Sequence, residues 1–275
     1  LFFKTGKFFF LFYYLTFFSM PIPYLWSKKK SARHIYNVIN AHTKNRKQDI
    51  LLDLFTGWFA ISEEFIKKWW KTINNDQNKY VMWLLQKSLE WLPSEVYNWI
   101  SRENFEKILK NPEKYEDWYV GFVQCIWTFW NNQKGYLYWR NIEKLKEISE
   151  NFVVNKVKNS IIEEIIWKRY VEKILMLKSI HARRKAFSRV MQDRFKSGKQ
   201  KESRLINMQR LQHLERLERL ERLEWLKNAE NILSIISLSY DEVTIPDDVI
   251  VYCDPPYRWT AEYAERNFDH DKFWE

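Results

Sequence analysis

The sequence predicts an α/β fold, a doubly wound Rossmann-like sheet broken by a long, mainly helical insertion, and three stretches of text predict it. Residues 50–54 are an apolar run closed by Phe55-Thr56-Gly57, the pattern of a buried strand entering a turn. Residues 60–68 then place Ile61, Phe65 and Ile66 at helical spacing, and Lys71–Asn75 reads as a second strand meeting a loop at Asp76-Gln77-Asn78. Residues 249–253 are a continuous run of β-formers, another central strand, which stops at Asp254-Pro255-Pro256-Tyr257.

Between these halves, residues 84–230 are polar, aromatic-rich and helical in spacing, with no further βαβ rhythm. We therefore divide the chain into 20–83, an inserted domain over 84–230, and 231–275. Leu211, Leu214, Leu217, Leu220, Leu223 and Leu226 recur every three residues, which winds them around a helix by about 60° per step. That period excludes a coiled-coil seam. It predicts a connecting helix on changing neighbours, or a low-complexity expansion, with Glu215/Arg219 and Glu218/Arg222 as pairs one turn apart.

With 29% charged and 46% hydrophobic residues, the 275-residue chain has the composition of a globular protein and can bury one full core plus a smaller one. Its net charge of +10 is unevenly spread. Residues 178–210 hold eleven Lys/Arg against Asp193 and Glu202, a net +9. Such a stretch attracts phosphate backbones or anionic lipid heads, unless it is only a solvated helix face. The two cysteines, Cys125 and Cys253, lack metal-ligand spacing, which argues against a zinc site or a disulfide scaffold and fits a reducing compartment, the cytoplasm. At the start, the apolar run over 8–18 falls short of the roughly 20 residues of a membrane span. No small-residue cleavage site precedes Met20. We read 1–19 as upstream translation and Met20 as the start, with no stable membrane association.

Asp-Pro-Pro-Tyr directly after a buried strand is the most informative tetrapeptide. Strand carboxyl ends line the ligand crevice of an open α/β sheet. Two prolines fix φ and remove two N–H donors, leaving a rigid loop of carbonyl acceptors. Asp254 adds a carboxylate and Tyr257 a flat π face. Two acceptors beside an aromatic platform suit a planar base with an exocyclic NH₂, taken out of its stack. The bland alternative is a Pro-rich turn with a solvent-capped Asp.

With these residues the sequence resembles the Dam-like class of adenine-N6 DNA methyltransferases. Pro23-Tyr24-Leu25-Trp26-Ser27-Lys28 resembles the class's N-terminal Pro-Tyr-x-Gly-Ser-Lys segment. Asp53-Leu54-Phe55-Thr56-Gly57-Trp58-Phe59 resembles its Asp-x-Phe-x-Gly-Gly loop. Asp76, 19 residues after Gly57, stands where an acid at a second strand's end binds ribose hydroxyls. The resemblance covers residues 20–275 and implies a methyltransferase sheet with an inserted target-recognition domain, incomplete by roughly three C-terminal strands. It implies methyl transfer from S-adenosylmethionine to adenine N6 in double-stranded DNA, without a metal, by a monomer. Tyr24, Trp26, Lys28, Asp53, Phe55, Gly57 and Asp76 are then the cofactor residues, and Asp254, Pro255, Pro256 and Tyr257 the catalytic ones. Arg183, Arg184, Lys185 and Arg189, in the basic stretch, are the candidate phosphate contacts.

The competing readings are a cytosine-N4 methyltransferase, which usually begins the tetrapeptide with Ser, and an RNA or protein methyltransferase, which more often carries Asn there. A non-catalytic DNA-binding remnant stands in another class, and a membrane-anchored protein rests only on residues 1–19.

The sequence holds 15 Trp and 5 Gly, against an ordinary glycine content of about 7%. Trp26, Trp58 and Trp259 stand where the class carries, or commonly carries, glycine, and the resemblance adds Trp69, Trp91, Trp130 and Trp139 as candidates. At Trp58 an indole enters a loop whose backbone must approach the cofactor closely, which glycine alone readily permits. We read these tryptophans as glycine codons rendered under the wrong genetic code. Random decay of an inactive gene would not concentrate one substitution at glycine sites.

Overall fold

The computed structural model describes residues 29–43, 49–57, 59–129, 134–196, 214–255 and 268–274. They fall into two units, one made of the described residues up to Met82 and from Ala229 onward, the other of those within Trp83–Asn228.

The first unit is built on four parallel strands, β1 (Ile50–Asp53), β2 (Lys71–Asn75), β3 (Ile232–Ile236) and β4 (Ile250–Tyr252), in the order β3-β2-β1-β4. Central β1 feeds both faces. Leu51 joins Ala32, Ile39, Ile61, Phe65 and Trp70 on one side, where α1 (Lys29–His42) packs with α2 (Ala60–Ile66). Leu52 and Leu54 join Val243, Val249 and Val251 on the other. Burial on both faces is why β1 and β4 read as unbroken apolar runs.

β2 differs. Its sequence is Lys-Thr-Ile-Asn-Asn, yet Thr72, Asn74 and Asn75 are buried. Side-chain hydrogen bonds make this tolerable: Asn74 Nδ2 donates to Thr72 Oγ1 at 3.0 Å, and Asn75 bonds neighbouring loops. β3 is a strand the sequence reading did not find. Its five residues follow directly on leucine-rich helical text and are too few to establish a period.

The end of α2 bears on the tryptophan question. Trp69 N–H donates to Ile66 O (3.0 Å) and Trp70 N–H to Phe65 O (3.2 Å), a Schellman ending. Trp69 takes φ +68° at the position such endings reserve for glycine. Its indole is 86% exposed, whereas Trp70 is 1% exposed and meets Phe65 edge-on at 4.9 Å. One is a side chain without a place; the other is core.

Most of the second unit is helical: α4 (Arg102–Lys110), α5 (Asp117–Ile126), α6 (Arg140–Asn155), α7 (Ser160–Ile166), α8 (Lys168–Leu175), α9 (Ile180–Lys196) and α10 (Glu215–Leu226), with α3 (Lys79–Glu90) spanning the boundary between units. α10 buries Leu217, Leu220 and Leu226 and, with them, Arg216. That guanidinium bonds Glu150 and the carbonyls of Val96 and Tyr97 (2.9 Å each) and lies 4.8 Å over the Trp127 ring. Lys146 reaches Glu215 (2.7 Å), and Arg219 reaches Thr128 O (2.8 Å). The Glu/Arg repeat, read from spacing as pairs within one helix, also serves contacts between helices. A period gives a helix its faces, not what lies opposite them.

Trp167, a single residue between α7 and α8, has φ +59° and ψ +130°. That lies outside every backbone region readily open to a residue with a Cβ. The sequence reading did not nominate this position. Trp91 and Trp139, which it did nominate, are exposed but have no positive φ, so their backbone makes no demand for glycine. Trp26, Trp58, Trp130 and Trp259 lie outside the described residues.

Candidate active site

Because β1, β2 and β4 are parallel, their chains leave the sheet at one edge. Asp53, the last residue of β1, pairs with Asn74 and Tyr252 and is 1% exposed. Ser62 Oγ, presented by α2, donates to its Oδ2 at 2.8 Å; Oδ1 is buried without a hydrogen-bond partner among the described residues. Burial pushes the Asp53 carboxyl up to about 7, with Asp254 and Asp76 adding to the rise and Ser62 opposing it.

The turn after β1 is held on every side. Leu54 N–H donates to Tyr252 O (3.0 Å), Thr56 N–H to Asn75 O (2.8 Å) and Gly57 N–H to Asp76 Oδ2 (2.8 Å). Gly57 has φ +47°, and no atom beyond its chain neighbours lies within 4 Å of where a Cβ would stand. The backbone favours glycine there, and the absent side chain leaves room for close approach. The other oxygen of Asp76 accepts Asn78 N–H at 2.9 Å, and burial raises its pKa. Asp76 therefore shapes the Gly57 turn before meeting any ligand.

Across β1, β4 leads into Cys253, Asp254 and Pro255. Burial pushes the Cys253 thiol up to about 12, helped by Asp53 and Asp254, so the two carboxyls and the thiol form one electrostatic cluster. Phe55 faces away into an aromatic group, with ring centroids 6.1 Å from Tyr240 and 5.7 Å from both Phe268 and Phe273. A 2.5 Å ion pair between Lys272 and Asp241 ties α11 (His270–Trp274) to the same loop.

The structure thus brings Asp53, Phe55, Gly57, Asp76, Asp254 and Pro255 to one sheet edge, although Phe55 packs as a support and not as an open surface. Tyr24, Trp26, Lys28, Pro256 and Tyr257 lie outside the described residues. Ser62, Asn75 and Tyr240 were missed. Ser62 left a trace, a polar residue on the face of α2 that carries Ile61 and Phe65.

The raised Asp53 pKa makes a stability prediction. The folded state holds a proton that the unfolded state, with its value near 3.8, releases, so stability falls as pH rises from about 4 to 7 and levels above that. The full effect is on the order of 4 kcal/mol. Urea titrations at pH 5 and pH 8 should show the wild type losing more stability than Asp53→Asn over that interval. Equal losses would remove the buried-carboxyl account.

Two of the four candidate phosphate contacts are corrected. Arg183 is 3% exposed, its guanidinium donating to the carbonyls of Val153, Val154, Leu177 and Lys178. Arg184 is 8% exposed and grips Glu221 (2.6 and 2.8 Å) and Glu218 (3.0 Å). These buried cations hold α9 in the helical unit, and most of their hydrogens are directed at protein acceptors. Lys185 and Arg189, one turn apart, are exposed. Charge density in the text could not separate the buried face of α9 from the open one.

Among the described residues no His/Cys/Asp/Glu cluster could hold a metal ion, and no helix is long and apolar enough to cross a membrane. A family model described as D12 class N6 adenine-specific DNA methyltransferase matches residues 24–275. No curated protein and no solved structure matches the chain.

Proposed function

We propose that this chain, which belongs to the D12 class N6 adenine-specific DNA methyltransferase family, works through the crevice at the carboxyl ends of β1, β2 and β4. It is an adenine-specific DNA methyltransferase with S-adenosylmethionine as methyl donor. The observation that carries the site assignment is Asp254 leaving β4 beside the Asp53 carboxyl and the Gly57 turn.

The residues present fit a cofactor with cationic and hydroxyl groups. Asp53 keeps a buried oxygen without a partner among the described residues, Gly57 leaves its open side clear, and Asp76 offers a second carboxylate. Asp53, Gly57 and Asp76 would hold the cofactor, with Phe55 bracing the turn and Tyr24, Trp26 and Lys28 joining as the family resemblance implies. When bound, S-adenosylmethionine supplies an electrophilic methyl group.

The target adenine leaves the duplex and stacks on Tyr257. Asp254 and the Pro255 carbonyl accept the two N6 hydrogens, which aims the nitrogen lone pair into the crevice. Their contribution is orientation and preorganised charge. We read the four strands as part of a doubly wound Rossmann-like sheet and the helical unit as an inserted target-recognition domain. Lys185 and Arg189 are its proposed phosphate contacts.

The test is transfer of a labelled methyl group from S-adenosylmethionine to duplex DNA by the full chain carrying Trp58→Gly, followed by identification of the modified base. Label on adenine N6 is expected; label on cytosine N4 would replace the substrate assignment. Binding should weaken steeply with salt, and Lys185→Ala with Arg189→Ala should flatten the slope of log affinity against log salt by about 2. An unchanged slope would take both residues off the DNA.

A further inference from the structure

Asn75 is the last residue of β2 and is 1% exposed. Its Nδ2 donates to Leu54 O at 3.1 Å and to Leu238 O at 3.2 Å, while its Oδ1 accepts Leu238 N–H at 3.1 Å. The two-way exchange with Leu238 copies a rung of a sheet. A side-chain amide, having both donor and acceptor, continues the β2–β3 ladder beyond the Asn75–Ile236 pair. The main chain works alongside, with Asn75 O accepting Thr56 N–H, Asp76 N–H donating to Ile236 O (3.3 Å) and Ser237 Oγ donating to Asp76 O (3.2 Å). One buried amide therefore ties the turn leaving β1, which contains Gly57, to the loop leaving β3, whose Tyr240 ring stands against Phe55.

We propose that Asn75 is a positioning residue that fixes the spacing between these two loops and, through them, sets cofactor affinity. The proposal rests on reading the crevice as the cofactor site. The amide is specifically required. An aspartate of the same size still accepts Leu238 N–H but has no proton for the Leu54 and Leu238 carbonyls and sets a charge against them. A serine is too short to span both loops. The groups acting on adenine N6 leave β4 and make none of these bonds, so chemistry at saturating cofactor is untouched.

The experiment compares the full chain carrying Trp58→Gly with its Asn75→Asp and Asn75→Ser variants in the same background by calorimetric titration with S-adenosylmethionine, thermal melting without ligand, and steady-state kinetics. Both the dissociation constant and the KM for S-adenosylmethionine should rise roughly 10- to 100-fold in Asn75→Asp, from the loss of one or two buried hydrogen bonds. Asn75→Ser should fall between it and wild type, with kcat at saturating cofactor within about threefold throughout. A folded Asn75→Asp with wild-type affinity overturns the proposal, as does a fall in kcat at constant KM. Failure of both variants to fold overturns it too, since Asn75 would then serve the fold alone. A Trp58→Gly chain with Asn75 intact that binds no S-adenosylmethionine would instead remove the crevice reading, and this inference with it.

Discussion

Asp254→Ala is expected to lower methyl transfer to DNA by roughly a thousandfold while S-adenosylmethionine binding stays within a few-fold of wild type. The separation follows from where the groups lie. Asp53, Gly57 and Asp76 belong to the exits of β1 and β2 and are held by Ser62, Asn75 and main-chain bonds. Asp254 instead leaves β4, and its proposed role is to accept a hydrogen of the adenine amine. Asn at this position keeps the shape and one acceptor oxygen but loses the charge, so Asp254→Asn should retain a measurable fraction of the rate. The same substitution should also lower the pKa of Asp53, because the Asp254 charge is one of the groups raising it. Methylation at the wild-type rate by Asp254→Ala would remove the residue from the reaction.

Trp69→Gly and Trp70→Gly, one residue apart, should have opposite effects. At 69 the indole is exposed and the backbone is left-handed, so glycine relieves about 1–2 kcal/mol of strain. At 70 glycine removes a ring buried against Phe65 and Tyr36, and losses of about 3–5 kcal/mol follow from emptying such a site. Trp167→Gly should join the stabilising class, since φ +59° with ψ +130° suits only a residue without a Cβ. Thermal melts should show gains of about 2–4 °C per kcal/mol for Trp69→Gly and Trp167→Gly. The coding sequence offers an independent check, with one codon expected at 69 and 167 and a different one at 70 and 127. A single shared codon at all four, or a lower melting temperature for Trp69→Gly, would end the recoding account.

Composition showed an excess of tryptophan but could not sort its members. Exposure and φ could. Trp69 and Trp167 occupy glycine backbone, Trp70 and Trp127 are core, and Trp91 and Trp139 are exposed in ordinary geometry. The sorting depends on dihedral angles set by hydrogen bonds such as Trp70 N–H to Phe65 O, which no residue count contains.

By itself the sequence determined the strands at 50, 71 and 250, and the glycine turn after the first. Each is a local matter, in which apolar runs and glycine act through their own backbones and the water they avoid. The tertiary structure alone decided that β3 joins the sheet beside β2, that Asn75 bridges two loops, and that Arg183 and Arg184 turn inward while Lys185 and Arg189 stay exposed. Those outcomes depend on which polar groups meet after folding. A buried amide or guanidinium is tolerated only where partners from distant parts of the chain satisfy it, and sequence spacing carries no record of that meeting.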